Sequence, residues 1–311
     1  MTRRGTDNDG STRVWRPGFP VDVACTLSAH RRGPRDPAFR STPDGAIWRA
    51  VRTPCGPGTL RVAGDRGEVT GSAWGPGADW LLEAIPAMLG AYDDHTGFAP
   101  ERGVLRTAAR RRAGMRVGRT GRVFEALAPA ILEQKVTGIE AFAAWRRVLW
   151  RVGDPAPGPP EPAGRMRVPP DPAAWAAIPS WDWHLAGVDP RRARTVRTAA
   201  GVAKRLEEAV DLGVDVAARR LASLPGVGRW TVAEVLQRAF GDADAVSVGD
   251  LHVPGMIGWA LAGRVVDDEG MLALLEPYAG HRYRVQRLLE LGGVHPPRRA
   301  PRFAPRDYRA I

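Results

Sequence analysis

The sequence predicts a mainly α-helical protein that begins with a smaller α+β domain. Alternating apolar and polar residues indicate strands within the first hundred residues, whereas apolar residues at spacings of three and four dominate from residue 102 onward. A tight Pro-Gly-x-Gly turn also opens one of the later helices, in the segment LPGVGRW (224–230). At 311 residues, the chain is long enough for two or three domains with their own cores.

The N-terminal α+β domain is expected over residues 19–100. The Arg/Gly-rich segment 1–18 that precedes it has no periodicity and is expected to be disordered. Within the domain, alternation indicates strands and the four-residue segment Gly-Asp-Arg-Gly indicates a hairpin turn. The expected elements are strands at 21–27 and 46–53, a hairpin over 59–74 that turns at 64–67, and a helix over 78–92 that contains Pro86.

A helical domain is expected over residues 101–292. Segment 153–172 interrupts it with eight of the chain's 28 prolines, which predicts a long surface insertion. Residues 293–311 are rich in Pro and Arg and are expected to form an extended tail. The expected helices lie at 123–150, 192–210, 216–224, 230–240, in a segment after Asp250, and at 276–291.

The chain is strongly basic, with a formal net charge of +11 and a pI near 10.8. Such a charge favours a polyanionic partner, with nucleic acid as the first expectation, although a basic surface that only aids solubility would have the same composition. Only Lys135 and Lys204 are lysine, so 43 of the 45 basic residues are arginine. Arginine suits bidentate contact with phosphate.

Two cysteines, Cys25 and Cys55, are too few to ligate an iron–sulfur cluster, and they form no zinc pattern with neighbouring histidines. We expect both to be free buried thiols and expect the protein to need no cofactor. The first residues resemble no signal peptide, and no run approaches 18 apolar residues. These features favour a cytoplasmic protein with no membrane contact.

The turn at 224–230 combines glycines with the start of a helix. Gly226 and Gly228 allow another molecule to approach the backbone closely, and the first N–H groups of the following helix lack helical partners. Such a turn suits a phosphate group. Asp250 lies 24 residues after Gly226, in the segment VSVGDLH. It either caps the helix that follows or carries out chemistry on the strand that the turn holds, and the two roles are compatible.

These segments resemble the helix-hairpin-helix DNA glycosylases, the HhH-GPD superfamily, and most closely its DNA-3-methyladenine glycosylase II branch. The hairpin LPGVGRWT, the acidic segment that places Asp250 twenty residues after Trp230, and the segment AILEQKVT (130–137) match that branch. The stretch from Val21 to Asp94 is similar to its N-terminal domain. The resemblance covers roughly residues 20–292 and implies two helical subdomains that flank a cleft.

The resemblance implies a monomeric, nucleoid-associated enzyme that starts base excision repair of double-stranded DNA. Such an enzyme flips a damaged base out of the duplex, and Asp250 would stabilise the positively charged sugar as the N-glycosidic bond breaks. Cationic bases of the 3-methyladenine and 7-methylguanine type need little protonation to leave. Trp230 occupies the position of the lysine nucleophile in bifunctional relatives, which implies a monofunctional glycosylase without lyase activity. The alternatives are a non-enzymatic lesion-binding protein and a glycosylase for a different damaged base.

Four residues are expected in the base pocket. Trp230 either lines the pocket or packs between the hairpin helices, and Gln134 is either a core amide or a pocket or DNA contact. Glu234 and His281 replace aromatic residues of the resembled branch. Glu234 either is a solvated helix residue or faces the pocket, where its charge would favour a cationic base.

The hairpin is expected to bind one DNA phosphate through the segment that contains Gly226, Val227, Gly228, Arg229 and Thr231. By resemblance, the backbone carbonyls of Ala222, Leu224 and Val227 would hold a monovalent cation, Na⁺ or K⁺, that helps to bridge to that phosphate.

The loop 116–122, RVGRTGR, aligns with the loop from which the family inserts an apolar wedge into the duplex. Val117 is the expected wedge and Met115 the second candidate. Arg116, Arg119 and Lys135 are expected to contact phosphates, although the arginines are also compatible with a solvated surface.

Overall fold

A computed structural model describes the chain over residues 10–100 and 103–297. Its N-terminal part is built on one antiparallel sheet. The strands are β1 (Ser11–Trp15), β2 (Phe39–Ser41), β3 (Ile47–Thr53), β4 (Gly56–Asp65) and β5 (Glu68–Trp74), and their order across the sheet is β1-β5-β4-β3-β2.

The predicted strand at 46–53 and the predicted hairpin at 59–74 are confirmed. The chain reverses between β4 and β5 at Arg66 and Gly67, whose φ angles are +48° and +84°. Two successive residues with positive φ are typical of the type I′ turn that suits the twist of an antiparallel hairpin. Helix α2 (Ala78–Met88) confirms the predicted helix over 78–92, with Pro86 inside it.

Two N-terminal predictions are wrong. Residues 11–15, assigned to a disordered tail, form β1, because they pair along the whole edge of β5 and Trp15 packs on the sheet core. The segment 21–27 is not a strand, since Val23–Leu27 forms helix α1. The Asp22 carboxylate accepts a hydrogen bond from the Cys25 N–H at 2.9 Å and so caps the first turn. Residues 1–9 and 298–311, which hold half of the predicted N-terminal tail and most of the C-terminal tail, lie outside the described residues.

The rest of the chain is helical, as predicted. The helices are α3 (Gly103–Arg111), α4 (Val123–Leu132), α5 (Gly138–Val152), α6 (Pro172–Ala177), α7 (Ser180–Ala186), α8 (Pro190–Gly201), α9 (Ala203–Glu207), α10 (Val214–Ala222), α11 (Arg229–Val235), α12 (Val253–Ala262), α13 (Asp268–Leu275) and α14 (Arg282–Leu291). Helix α11 continues as a π-helical turn over Leu236–Phe240. No helix within the described residues is long and apolar enough to cross a membrane.

Two long predicted helices are each divided in two. The segment 123–150 breaks at 133–137, where Lys135 has a φ of +54° and Thr137 forms a capping box with Glu140 at the start of α5. Ile139 lies at the first turn of α5 and is 62% exposed. The segment 192–210 divides into α8 and α9 at Val202.

The helices form two separate apolar cores, as the two-subdomain fold predicts. One core is centred on α4, α8 and α11. The other joins α3, α12, α13 and α14. A third core lies between the sheet and α2. The segment between α11 and α12 passes from the first helical core to the second, and Asp250 lies at its end.

The Pro-rich segment 153–172 is not simply a surface loop. It forms a short strand pair, β6 (Asp154–Pro155) with β7 (Arg167–Val168), and its Ala163 and Met166 are fully buried. These residues pack beside the stacked rings of Trp48 and Trp74, whose centroids lie 5.2 Å apart. The segment therefore covers one face of the N-terminal sheet.

Candidate active site

The hairpin between α10 and α11 uses its two glycines differently. Gly226 has a φ of +87°, and a Cβ there would lie 2.4 Å from Thr195 Oγ1. The fold itself therefore requires glycine at 226. Gly228 has a φ of −104°, and no atom lies within 4 Å of the position its Cβ would take. Gly228 starts α11 without a side-chain cap, so its missing side chain leaves open space beside the free N–H groups of the helix.

Gln134 fastens the hairpin to the turn between α4 and α5. Its Nε2 donates hydrogen bonds to Gly226 O at 2.9 Å and to Thr231 Oγ1 at 2.8 Å. Thr231 is 2% exposed, so the expectation that it contacts DNA is wrong. The Val227 side chain is also buried in the α4–α8–α11 core, which leaves only its backbone for contact. Lys135 is exposed at the tip of the neighbouring turn.

Asp250 is held by three donors. Its Oδ2 accepts a hydrogen bond from Trp230 Nε1 at 3.0 Å, and its Oδ1 accepts from the N–H groups of His252 at 2.7 Å and Val253 at 3.0 Å. The backbone contacts cap α12, as one of the two interpretations of Asp250 predicts. The side chains of Asp250 and Trp230 are both half-buried.

The contact between Trp230 and Asp250 joins the two helical cores. Trp230 lies on α11 of the first core, whereas Asp250 precedes α12 of the second. Both residues therefore lie at the junction of the two helical cores. The hairpin turn lies directly before Trp230 in the chain.

Glu234 is neither a solvated residue nor a free acid. It is 6% exposed, its Oε2 lies 2.7 Å from Arg238 Nη1, and its Oε1 accepts from Ser247 Oγ at 2.8 Å. The expectation of a solvated helix residue is therefore wrong, and Arg238 compensates the charge of Glu234. Gln237 extends this buried polar network by donating to Ser247 Oγ at 3.0 Å. The pattern of the sequence did not identify Arg238 or Ser247.

His281 is 9% exposed and binds residues of the N-terminal domain. Its Nε2 donates to Thr96 O at 2.9 Å, and its Nδ1 accepts from Arg284 Nε at 3.2 Å. Arg284 is fully buried and forms a two-pronged ion pair with Asp93. The contacts of His281 are therefore those of a junction between domains, and none of them joins it to Asp250 or Trp230.

The loop 116–122 does not provide a wedge. Val117 is 5% exposed and Met115 is 2% exposed, so neither side chain can enter a duplex. Thr120 and Gly121 donate their N–H groups to the carbonyls of Arg238 and Ala239, at the end of the α11 segment opposite the hairpin. Periodicity could not reveal this placement, because it depends on how distant segments pack.

The two arginines of this loop have different environments. Arg116 is half-buried, donates from Nε to Pro20 O at 3.2 Å and lies over the Phe19 ring, so it is held within the protein. Arg119 is exposed and lies 3.8 Å from the centroid of the Tyr92 ring. Only Arg119 has the exposure that a phosphate contact requires.

The cysteines and acidic groups give no sign of a metal centre within residues 10–100 and 103–297. No three His, Cys, Asp or Glu side chains converge there as metal ligands would. Cys25 is a free, buried thiol, whereas Cys55 is exposed on the turn before β4, contrary to expectation.

The architecture matches several solved structures. The chain aligns with a 3-methyladenine DNA glycosylase from Archaeoglobus fulgidus at a TM-score of 0.73 and 19% identity, over 90% of this chain and 97% of that one. The chain has the helix-hairpin-helix DNA glycosylase fold. MBOgg1, solved with a low-affinity DNA ligand, aligns at a TM-score of 0.71 and 14% identity over 94% and 97% of the two chains.

A third match extends the glycosylase fold to a bifunctional enzyme. The Clostridium acetobutylicum 8-oxoguanine glycosylase/lyase, solved with double-stranded DNA that contains cytosine opposite 8-oxoguanine, aligns at a TM-score of 0.69 and 12% identity. The alignment covers 94% of this chain and 98% of that one. No family model and no curated protein matches the sequence.

Proposed function

We propose that this protein is a monofunctional DNA glycosylase that hydrolyses the N-glycosidic bond of alkylated purines, of the 3-methyladenine and 7-methylguanine type, in duplex DNA. The observation that carries the proposal is the Asp250 carboxylate, fixed by Trp230 and the start of α12 at the junction of the two helical cores. The same fold occurs in a 3-methyladenine glycosylase, and the net charge of +11 suits a polyanionic partner.

DNA would be held at the hairpin. The free N–H groups at the start of α11 suit a phosphate, and open space at Gly228 lets a strand approach the backbone. Gly228 supports this role because nothing in the protein itself requires a glycine there. Exposed Arg119 and Lys135 would add phosphate contacts, so binding would weaken steeply with salt.

Asp250 would stabilise the departing sugar. As the damaged base leaves with the bonding electron pair, positive charge develops on the sugar ring. All three neighbours of Asp250 donate hydrogen bonds, so its oxygens serve as acceptors and the carboxylate needs no reorientation during the reaction. Water then adds to the sugar, and Asp250 would orient it or accept its proton. A purine that alkylation has made cationic leaves as a neutral base.

Hydrolysis rather than a lyase reaction is proposed because a tryptophan stands where a lysine nucleophile would stand. Lys204 lies on α9, and Lys135 lies one residue from Gln134, which touches the hairpin. Lys135 is therefore the amine to consider if strand cleavage occurs.

A monovalent cation at the hairpin is part of the proposal. The carbonyl of Leu224 accepts the Val227 N–H at 3.0 Å and keeps a second lone pair, and Ala222 ends α10, where carbonyls lack helical partners. Neutral carbonyl oxygens of Ala222, Leu224 and Val227 fit Na⁺ or K⁺, which would add positive charge beside the bound phosphate.

The test is base release from a duplex that contains 7-methylguanine, with wild type, Asp250→Asn and Asp267→Asn. Asp267 caps α13 through the Gly270 N–H at 2.9 Å, so its variant controls for the loss of a capping carboxylate. We expect release by wild type and Asp267→Asn only, with strand breaks only after alkali treatment and no covalent adduct after borohydride.

Two results would contradict this function. Lesion binding without release by any variant would identify a non-enzymatic lesion-binding protein. Strand breaks without alkali, with an adduct trapped by borohydride and lost in Lys135→Ala, would identify a lyase.

A further inference from the structure

The segment 247–250, which ends at Asp250, is held at both of its ends. At the first end, Ser247 is fully buried. Its Oγ donates to Glu234 Oε1 of α11 at 2.8 Å and accepts from Gln286 Nε2 of α14 at 3.2 Å. At the other end, the carboxylate of Asp250 accepts from the first N–H groups of α12. Both helical cores therefore contribute to holding this segment.

Gly249 lies between these two fixed ends and directly precedes Asp250. Its φ is +90°, and no atom lies within 4 Å of the position its Cβ would take. Glycine adopts positive and negative φ about equally readily, so the backbone is easiest to rotate at this position. A rotation there would turn the following residue. A contact that fixes Gly249 therefore also fixes the orientation of Asp250.

Asp268, at the start of α13, makes such a contact. The Gly249 N–H donates to Asp268 Oδ1 at 3.0 Å and to Asp268 Oδ2 at 3.1 Å. Among the described residues, this N–H has no other acceptor. A hydrogen bond to an ionised carboxylate is stronger than one between neutral groups. The carboxylate of Asp268 is thus one residue removed in sequence from Asp250 and holds it through the backbone.

Helix α13 does not use Asp268 as its cap. Asp267 is the N-cap and accepts the Gly270 N–H at 2.9 Å. Asp268 follows in the first turn, where a negative charge also interacts favourably with the helix dipole. The hydrogen bonds of its side chain, however, go to Gly249. Two adjacent acids therefore have different contacts, one within α13 and one with the segment that carries Asp250.

We propose that Asp268 is a positioning residue that fixes Gly249 and thereby holds the Asp250 carboxylate in the orientation that stabilises the departing sugar. The inference rests on the proposed function and deepens it. A carboxylate that is oriented before the reaction needs no reorganisation when positive charge develops. Asp268 acts through Gly249 and Asp250 and is not itself a catalytic residue.

The experiment compares wild type, Asp268→Ala, Asp268→Asn and Asp267→Asn. Asparagine keeps a carbonyl oxygen that can accept the Gly249 N–H, whereas alanine removes every acceptor. Asp267→Asn removes the same charge one residue away and keeps a good N-cap, so it is the matched control. Three quantities are measured: single-turnover release of 7-methylguanine from a duplex, binding to a duplex with a tetrahydrofuran abasic analogue, and urea unfolding.

We expect Asp268→Ala to lower the rate of base release by about tenfold, as for loss of a hydrogen bond to a charged group, with unchanged binding to the abasic analogue. Asp268→Asn should retain most of the rate, and Asp267→Asn should release base as wild type does. A role of Asp268 in the helix dipole alone gives a different pattern. Alanine and asparagine would then lower the free energy of unfolding alike and leave the rate unchanged.

Three results would overturn the role of Asp268. They are equal release by Asp268→Ala and wild type, equal losses of rate in Asp268→Ala and Asp268→Asn, and a loss of abasic-analogue binding that parallels the loss of rate. Absence of release by wild type would instead overturn the proposed glycosylase itself, and the role of Asp268 with it.

Discussion

Replacing Trp230 with phenylalanine tests how far a single hydrogen bond prepares Asp250 for catalysis. Phenylalanine keeps an aromatic ring on α11 but removes the indole N–H that donates to Asp250 Oδ2 at 3.0 Å. Asp250 Oδ1 keeps both backbone donors from the start of α12. The carboxylate therefore stays at the helix terminus but loses the contact that fixes its Oδ2.

The expected size of the effect follows from the contact. A hydrogen bond to a charged group contributes about 1.5–3 kcal/mol, and the half-buried position of both side chains favours the lower end of that range. Since about 1.4 kcal/mol corresponds to a tenfold change in rate, we expect Trp230→Phe to slow base release about tenfold. Asp250→Asn should slow release far more, because it removes the charge itself.

The assay is single-turnover release of 7-methylguanine, with thermal unfolding of each variant measured in parallel. Trp181→Phe is the matched control, since Trp181 lies on α7 and is 64% exposed. An unchanged rate for a folded Trp230→Phe would refute the role of the indole in orienting the carboxylate. A loss of rate as large as that of Asp250→Asn would show that the packing of the indole ring, and not its hydrogen bond, accounts for most of the effect.

Three further predictions concern the hairpin and the domain junction. Gly228→Ala should change the free energy of unfolding by less than about 1 kcal/mol yet weaken binding to a duplex at least about tenfold, whereas Gly226→Ala should destabilise the protein by ~1–3 kcal/mol because of its φ of +87°. Chemical denaturation measures the stability and fluorescence anisotropy measures the binding, and equal effects of the two variants would contradict the different roles of the two glycines. Gln134→Leu should destabilise the protein by about 1–3 kcal/mol, because buried Thr231 loses the hydrogen bond that Gln134 donates to it, and the variant should also bind a duplex more weakly. Unchanged duplex binding by the folded variant would exclude a role of Gln134 in holding the hairpin. Burial alone would raise the pKa of Asp93, but hydrogen bonds from Arg284 and His95 outweigh it and hold the pKa at about 2. Asp93 should therefore contribute roughly 2 kcal/mol to the free energy of unfolding above pH 4, and this contribution should disappear as the pH falls toward 2. Urea unfolding across that range should show this loss in wild type and not in Asp93→Asn.

The local parts of the fold were predictable from sequence. Strand β3, the β4–β5 hairpin and helix α2 follow from periodicity and turn residues, which act over a few neighbours. The errors occur where a cap or a tertiary contact overrides periodicity. Asp22 caps a helix, α1, in an alternating segment, and Thr137 starts a new helix inside the segment predicted as one helix over 123–150. Strand β1 forms only because the edge of β5 accepts it.

The site shows the same division. Asp250 and the hairpin glycines were identified by spacing along the chain, and the structure brings Asp250 to Trp230. The burial of Val117 and the pairing of Glu234 with Arg238 depend on packing between distant segments, so no local pattern reveals them.

The Pro-rich segment between α5 and α6 has a consequence for how this chain can be divided. It leaves the helical part, covers the sheet beside Trp48 and Trp74, and returns to start α6. A fragment that begins at residue 103 would carry this segment without the surface on which Ala163 and Met166 are buried. The N-terminal domain alone would conversely expose two stacked tryptophan rings. The two domains are thus consecutive in sequence but cannot be separated from each other as independent units. A chimaera that contains either domain would need to keep the Pro-rich segment together with the sheet.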